Sequence, residues 1–157
     1  MKKTILFGAT ALVAGCLTLT AASAQIQWTP EQKKVWKTET TINELFLKGD
    51  LQSAYQYLDD NFQGWPSVLP APVSKKLSAE HAKYYSESGG KVAFSQLVPL
   101  RIWVNGNYAY TDYYDYEVYE DKSDKKKSYT VSEQDVLLKK EGKWTIVASM
   151  ASAKPLK

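Results

Sequence analysis

The chain has 157 residues, with 20 lysines and arginines against 17 aspartates and glutamates, one histidine and one cysteine. A formal charge of +3 over that length argues against the broad basic footprint of a nucleic-acid binder. The lone His81 and lone Cys16 exclude a His/Cys metal cluster and a disulfide framework.

Lys2 and Lys3 precede an apolar run from Ile5 to Leu19, followed by Ala22-Ser23-Ala24, a small-x-small pattern. That is the layout of a secretory signal peptide, too short and wrongly flanked for a membrane span. Residues 1–24 are therefore expected to be cleaved from Gln25 onward and the product to be periplasmic. Val13-Ala14-Gly15-Cys16 also fits a lipobox, which would leave an acylated Cys16 as a lipid anchor. Leu17 to Ala21 continues the apolar region where a lipoprotein has a polar tether, and this favours the first reading. Loss of the two lysines lowers the formal charge from +3 to +1, and residues 25–157 make one domain, a size that buries roughly two-thirds of its unfolded surface.

Thr29-Pro30-Glu31-Gln32 supplies a helix cap, a proline at the first helical position and a glutamine that completes a capping box. Val35, Trp36, Ile42, Leu45 and Phe46 recur at helical spacing until Gly49 stops the helix. A second helix is expected from Asp50, with Leu51, Ala54, Tyr55 and Leu58 on one face. Asn61 to Pro66 breaks the period and reads as the start of a proline-punctuated loop, with Pro70 and Pro72, that crosses the mouth of a sheet. A third, weaker helix spans about 74–85, with Leu77, His81 and Tyr84 or Tyr85 inward, and ends at Gly89-Gly90.

Val92 to Tyr119 alternates about Asn105-Gly106, the strongest short-range signal for a β-hairpin. Closing the turn between Val104 and Asn107 puts Ile102 opposite Ala109 and sorts the side chains by their period of two. Phe94, Val98, Leu100, Ile102 and Val104 then share a core face with Ala109, Thr111, Tyr113 and Asp115. Leu97, Arg101 and Trp103 share the opposite face with Tyr108, Tyr110, Asp112, Tyr114 and Tyr116. Asp121 to Lys127 is a charged, solvated connection, and two more strands, about 129–139 and 143–152, meet at Glu141-Gly142.

Helices first and antiparallel strands after is an α+β order. With Leu47-Lys48-Gly49-Asp50-Leu51, Asp59-Asp60-Asn61-Phe62 and Glu141-Gly142-Lys143-Trp144 at their spacing, the chain resembles the nuclear transport factor 2-like superfamily, near its SnoaL-like and ketosteroid-isomerase-like branches. The resemblance covers nearly all of residues 25–157. It implies a cone-shaped, curved antiparallel sheet wrapped by three N-terminal helices, with a pocket at the open end and frequent pairing through the sheet.

The steroid isomerases that the chain resembles use an aspartate base before a proline, a tyrosine on the first helix and a protonated aspartate on a late strand. Here Trp65 falls where the base would be and Ile42 where the tyrosine would be; only Asp135 lies near the third position. Neither tryptophan nor isoleucine can shuttle a proton, so isomerase chemistry is not expected. Nor is there a phosphate loop, a nucleophile elbow or a cofactor motif. Asp59-Asp60 reads as a cap and turn after the second helix, and His81 as a satisfied or solvent-tipped side chain.

Six residues remain as pocket candidates: Trp36, Tyr55, Trp65, Tyr113, Asp115 and Asp135. Trp36 and Tyr55 would serve equally as core, whereas Gly-Trp-Pro places Trp65 where a ligand would enter. Such a set suits a small, partly apolar ligand with a hydroxyl or amine, with Asp135 expected to have a raised pKa. The alternatives are an enzyme working through Asp115 or Asp135, and a dimeric accessory subunit. The homodimer interface is expected on Arg101, Trp103, Tyr108, Tyr110, Asp112, Tyr114 and Tyr116, a composition enriched in interface cores.

Overall fold

The computed structural model describes residues 27–67 and 69–156; the cleavage site after Ala24 and the lipobox at Cys16 lie outside them. Helix α1 (Pro30–Leu47) begins with the expected capping box, Gln32 N–H donating to Thr29 Oγ1 at 3.2 Å and Thr29 N–H to Gln32 Oε1 at 2.9 Å. Gly49, at φ 72°, ends it, and Asp50 caps the short α2 (Leu51–Tyr55) by accepting from Ser53 N–H at 3.1 Å. Strands β1 (Leu58–Trp65) and β2 (Val73–Ser74) come next, then α3 (Lys75–Glu87), then β3 (Lys91–Asn105), β4 (Tyr108–Glu120), β5 (Lys126–Lys140) and β6 (Lys143–Pro155). Among the described residues no helix is long and apolar enough to cross a membrane.

The fold is α+β, with three helices and one open six-stranded sheet of order β2-β1-β6-β5-β4-β3. Two expectations are corrected. The segment read as a broken loop, with Asp59-Asp60 as a turn, is strand β1. It pairs parallel to β6, so the sheet is mixed and not wholly antiparallel. The two are the first and last strands of the sheet in chain order and no hairpin links them, which leaves their relative direction unconstrained. Asp59 is held by Lys140 and by Asn61 N–H at 3.0 Å, and Asp60 by Lys75 at 3.0 Å.

The hairpin turn also differs. Asn105 pairs with Tyr108, so Gly106 and Asn107 are the central residues, and only Gly106 has positive φ (59°). That suits a II′ turn, which needs left-handed backbone at its first central position alone. Ile102 therefore faces Thr111, with Val104 and Ala109 still on the same inner face. Beyond Arg101 the register slips by one residue at Leu100, and again at Ala93. Each slip is a bulge in an edge strand, the first beside Pro99, which has no N–H to give the ladder. The first bulge turns the expected core residues Phe94, Val98 and Leu100 outward, Phe94 and Leu100 being exposed, and brings Leu97 in beside Asp115.

Helix α1 crosses the inner face of this curved sheet. Val35, Ile42 and Phe62 pack with Ile102, Ala109, Leu137, Trp144 and Ile146 as the core. Polar ties fix the crossing: Gln32 Nε2 donates to the Ile102 carbonyl at 2.6 Å, and Glu31 accepts from Lys139 Nζ at 2.6 Å and Trp144 Nε1 at 3.0 Å. The Lys139 contact, with Lys34, holds the Glu31 pKa down at about 2. One end of the cone is thus sealed by core. The other end is roofed by α2 and α3, and α3 has no buried residue.

Candidate functional site

The space between the roof and the sheet is a cavity of about 740 Å³. Its apolar wall comes from α1, β3 and β6 through Ile42, Phe46, Leu97 and Ile146. Its polar wall comes from two neighbouring strands with the same alternation. On β4, Thr111, Tyr113, Asp115 and Glu117 point in; on β5, Val131, Glu133, Asp135 and Leu137 do. Tyr113 pairs with Glu133, and Thr111 with Asp135. Glu39 of α1 joins them from the helix side, 3 % exposed, taking the Thr111 hydroxyl at 3.0 Å.

The Tyr113 hydroxyl touches both Glu133 Oε2 and Asp135 Oδ2, the latter at 2.8 Å. A phenol carries one proton, so two carboxylates cannot both accept from it; one of the acids must itself be protonated. Burial, then the charge of Asp135, pushes Glu133 up to about 8, while burial raises Asp135 only to about 6 because Ser149 and Tyr113 favour its charged form. Both acids are raised, Glu133 further than Asp135, so the cluster of Glu133, Tyr113 and Asp135 keeps a carboxyl proton that separate solvated acids would have lost. Burial and the Asp135 charge hold Glu39 well above the usual carboxyl range, and burial with acidic neighbours does the same for Tyr113. Asp135 Oδ1 is buried with no hydrogen-bond partner, the single such side-chain atom among the described residues.

A second acidic pair sits further along β4. Asp115 accepts from Ser95 Oγ at 2.7 and 2.8 Å and from Gln96 N–H at 3.1 Å, yet burial still raises it. Burial, then the charge of Asp115, lifts Glu117 to about 7. Among the described residues no group of three or more acidic, histidine or cysteine side chains is arranged to hold a metal ion.

Four of the six expected pocket residues line this cavity: Tyr55, Tyr113, Asp115 and Asp135. Tyr55 also joins roof to roof, donating from its hydroxyl to the Ser78 carbonyl at 2.9 Å while its ring meets Phe46 edge-on at 5.7 Å. Trp36 stands behind the wall, edge-on to Tyr113 at 5.7 Å and to Trp28 at 5.8 Å, and is core packing and not lining. Trp65 is on the wrong side. Gly64 and Phe62 take the inward positions of β1, so Trp65 faces out, in register with Met150 of β6 and beside Pro66 and Leu69 in a separate shallow depression. His81 is exposed at the cavity edge on α3, where Tyr85 folds its ring so closely over Gly90 that an added Cβ would lie 2.3 Å from it.

Glu39, Glu117 and Glu133 were missed. Glu39 is four residues from Val35 and three from Ile42, on the apolar stripe already drawn for α1. Glu117 and Glu133 have the parity of Asp115 and Asp135 on their own strands. An acid on an apolar face was the available signal in all three cases.

The outer face of the same strands carries the other expected set. Trp103, Tyr108, Tyr114 and Tyr116 are exposed, and Arg101 meets Asp112 through Nε at 2.8 Å and Nη2 at 2.7 Å. Tyr110 lies under the Arg101 guanidinium at 5.6 Å and donates its hydroxyl to Asp112.

No family model and no curated protein matches the sequence. Solved structures do. A conserved protein from Planctomyces limnophilus superposes with a TM-score of 0.75 at 12% identity, over 80% of this chain and 98% of that one. A ketosteroid isomerase-like protein from Erwinia carotovora atroseptica gives 0.70 at 15% identity over 80% and 98%. An NTF2-like protein of unknown function in nutrient uptake from Rhodospirillum rubrum gives 0.65 at 15% identity over 76% and 98%. At these identities the likeness establishes the fold, which is the NTF2-like one.

Proposed function

We propose that this NTF2-like chain is an exported, SnoaL-like binding domain that takes a small, partly apolar ligand bearing a hydroxyl or amine into the cavity, without steroid-isomerase chemistry. The observation that carries it is the cavity itself. About 740 Å³ falls within the range of small-molecule sites, and its apolar walls converge on a few buried polar groups. Against isomerase chemistry, the inward positions of the β1 end are Phe62 and Gly64, and Ile42 lines the cavity from α1, so neither place offers a proton carrier. The reading is tested by denaturing protein purified from its own host and identifying released small molecules by mass spectrometry. A stoichiometric organic compound supports it. The supporting case fails if no compound is released and none of a small-molecule library shifts the resonances of Asp115 or Asp135.

A second reading, an enzyme with different acid and base groups, is favoured by Glu117 and Glu133 titrating near neutrality, where proton transfer is efficient. It requires turnover that is lost in Asp115→Asn or Asp135→Asn. Export rests on the composition of residues 1–24, and an intact mass beginning at Gln25 is its test. A homodimer through the outer aromatic face is proposed from its exposed tryptophan and tyrosines.

A further inference from the structure

We propose, building on the ligand-binding reading, that the cavity selects an organic cation, a primary ammonium on a small apolar body, and that the ammonium seats against the free Oδ1 of Asp135. Acidic residues in a cavity do not by themselves make a site. The second observation is Oδ1 itself: Asp135 is 1 % exposed and lines the cavity, its Oδ2 is held by Tyr113, and Oδ1 accepts no hydrogen bond, the Ser149 and Glu39 side chains standing beside the carboxylate without bonding geometry to it. A buried acceptor left unmade costs free energy, and a ligand N–H that completes it recovers that cost. Hydrogen bonds with an ionised partner are the stronger kind, and an ammonium offers three donors.

The charges facing the cavity decide between a neutral and a cationic donor. From α1 comes Glu39; from β4 come Tyr113, Asp115, Glu117 and Tyr119; from β5 come Glu133 and Asp135. Lys48 after α1 and Lys91 at the start of β3 are exposed, and Lys91 is already paired with Glu120 at 2.6 Å. The roof contributes Tyr55, His81 and Tyr85. Strands β1 and β6 contribute only neutral lining, such as Phe62 and Ser149. Five carboxyls thus face one space, and among the described residues none of them has an ion pair to a lysine or arginine. Aromatic rings in the same wall suit both the apolar body and the cation.

Filling the site with a cation has a proton consequence. Carboxyls that hold protons because they are buried beside like charge lose that reason once an ammonium stands among them. Binding should release protons and tighten as pH rises from about 6 to 8, the interval over which Asp135, Glu117 and Glu133 titrate.

Isothermal titration of the purified protein with 2-phenylethylamine, 2-phenylethanol and 3-phenylpropionate, in buffers of low and high ionisation enthalpy, tests this. The amine should bind at least about tenfold more tightly than the alcohol at pH 7.5, the carboxylate least, with heat that varies with buffer as expected for proton release. Asp135→Asn should abolish the preference for amine over alcohol. Equal binding of amine and alcohol by wild type would overturn the cation inference while leaving a ligand pocket standing, and needs no variant to interpret. An Asp135→Asn protein that keeps the full preference would overturn the seat on Oδ1. Absence of binding by all three, at concentrations where the amide resonances of the cavity stay unshifted, would overturn the pocket reading together with this one.

Discussion

Strands β4 and β5 carry carboxylates on both faces, and the two faces treat them oppositely. Outside, burial would raise Asp112, but Tyr110 and Arg101 outweigh it and hold the group below its usual value; Lys91 does the same for Glu120 at the strand end. Inside, Glu133, Asp135, Glu117 and Asp115 are all raised, chiefly by burial, and none has a cationic partner among the described residues. A chain shaped by stability alone would do the reverse, since surface pairs contribute little and unpaired buried acids are costly. The unpaired acids sit where the cavity is, and this concentration of cost beside open space marks the inner face as the functional one.

The sharpest contrast between the faces is in packing. Leu137 is fully buried on the inner face, and its neighbour Val136 is 37% exposed on the outer one. Leu137→Ala should cost about 2 to 5 kcal/mol in urea unfolding, and Val136→Ala less than about 1 kcal/mol. Comparable losses would mean the two faces are not the core and surface described.

The next effect is electrostatic. Glu133 is raised, so the folded state keeps its proton longer than the unfolded chain does. Its contribution is complete below the ordinary glutamate value and is lost as pH rises through about 8. The outer carboxylates act in the other direction, losing their contribution as pH falls below the usual aspartate and glutamate range. Stability should therefore peak at mildly acidic pH and fall by on the order of a few kcal/mol toward pH 8. Glu133→Gln should flatten that alkaline slope in thermal unfolding; an unchanged slope would remove Glu133 as its source.

On the outer face the expected changes are in assembly. Trp103→Glu should convert a dimer to a monomer in light scattering coupled to size exclusion, with the fold intact by circular dichroism. A monomeric wild type, or a dimer indifferent to the substitution, would take the interface off this face. Smallest of all, Arg101→Ala should lower the unfolding midpoint of the isolated chain only slightly, since the guanidinium is solvent-exposed and Tyr110 still bonds Asp112.

Much of this contrast was legible in the residues. The capping box at Thr29, the Gly49-Asp50 joint, the third helix and the four long strands follow from local signals, and those signals are satisfied locally. What escaped depends on distant partners. Strand β1 pairs with β6, the last strand, with α3 and the strands β2 to β5 between them in sequence, so no turn announces it. The bulge at Leu100 moves Phe94 and Val98 to the far face, because a one-residue slip reverses every side chain beyond it. Trp65 was placed by reading Gly-Trp-Pro as a loop at the mouth, and the parity of Phe62 and Gly64 on strand β1 sends it outside. Glu39, Glu117 and Glu133 were hidden by the expectation that acids belong in water, which is the expectation the inner face violates.

The central claim is that the inner carboxyls have no cationic partner among the described residues and are raised by burial, far enough for Glu133 to keep its proton at neutral pH. Carboxyl ¹³C titration by NMR measures that directly. The account predicts that Glu133 titrates near 8 and Asp135 near 6, with the two curves coupled. Ordinary values near 4 for both would contradict it, because they would mean that the acids are solvated and that the wall described here does not exist.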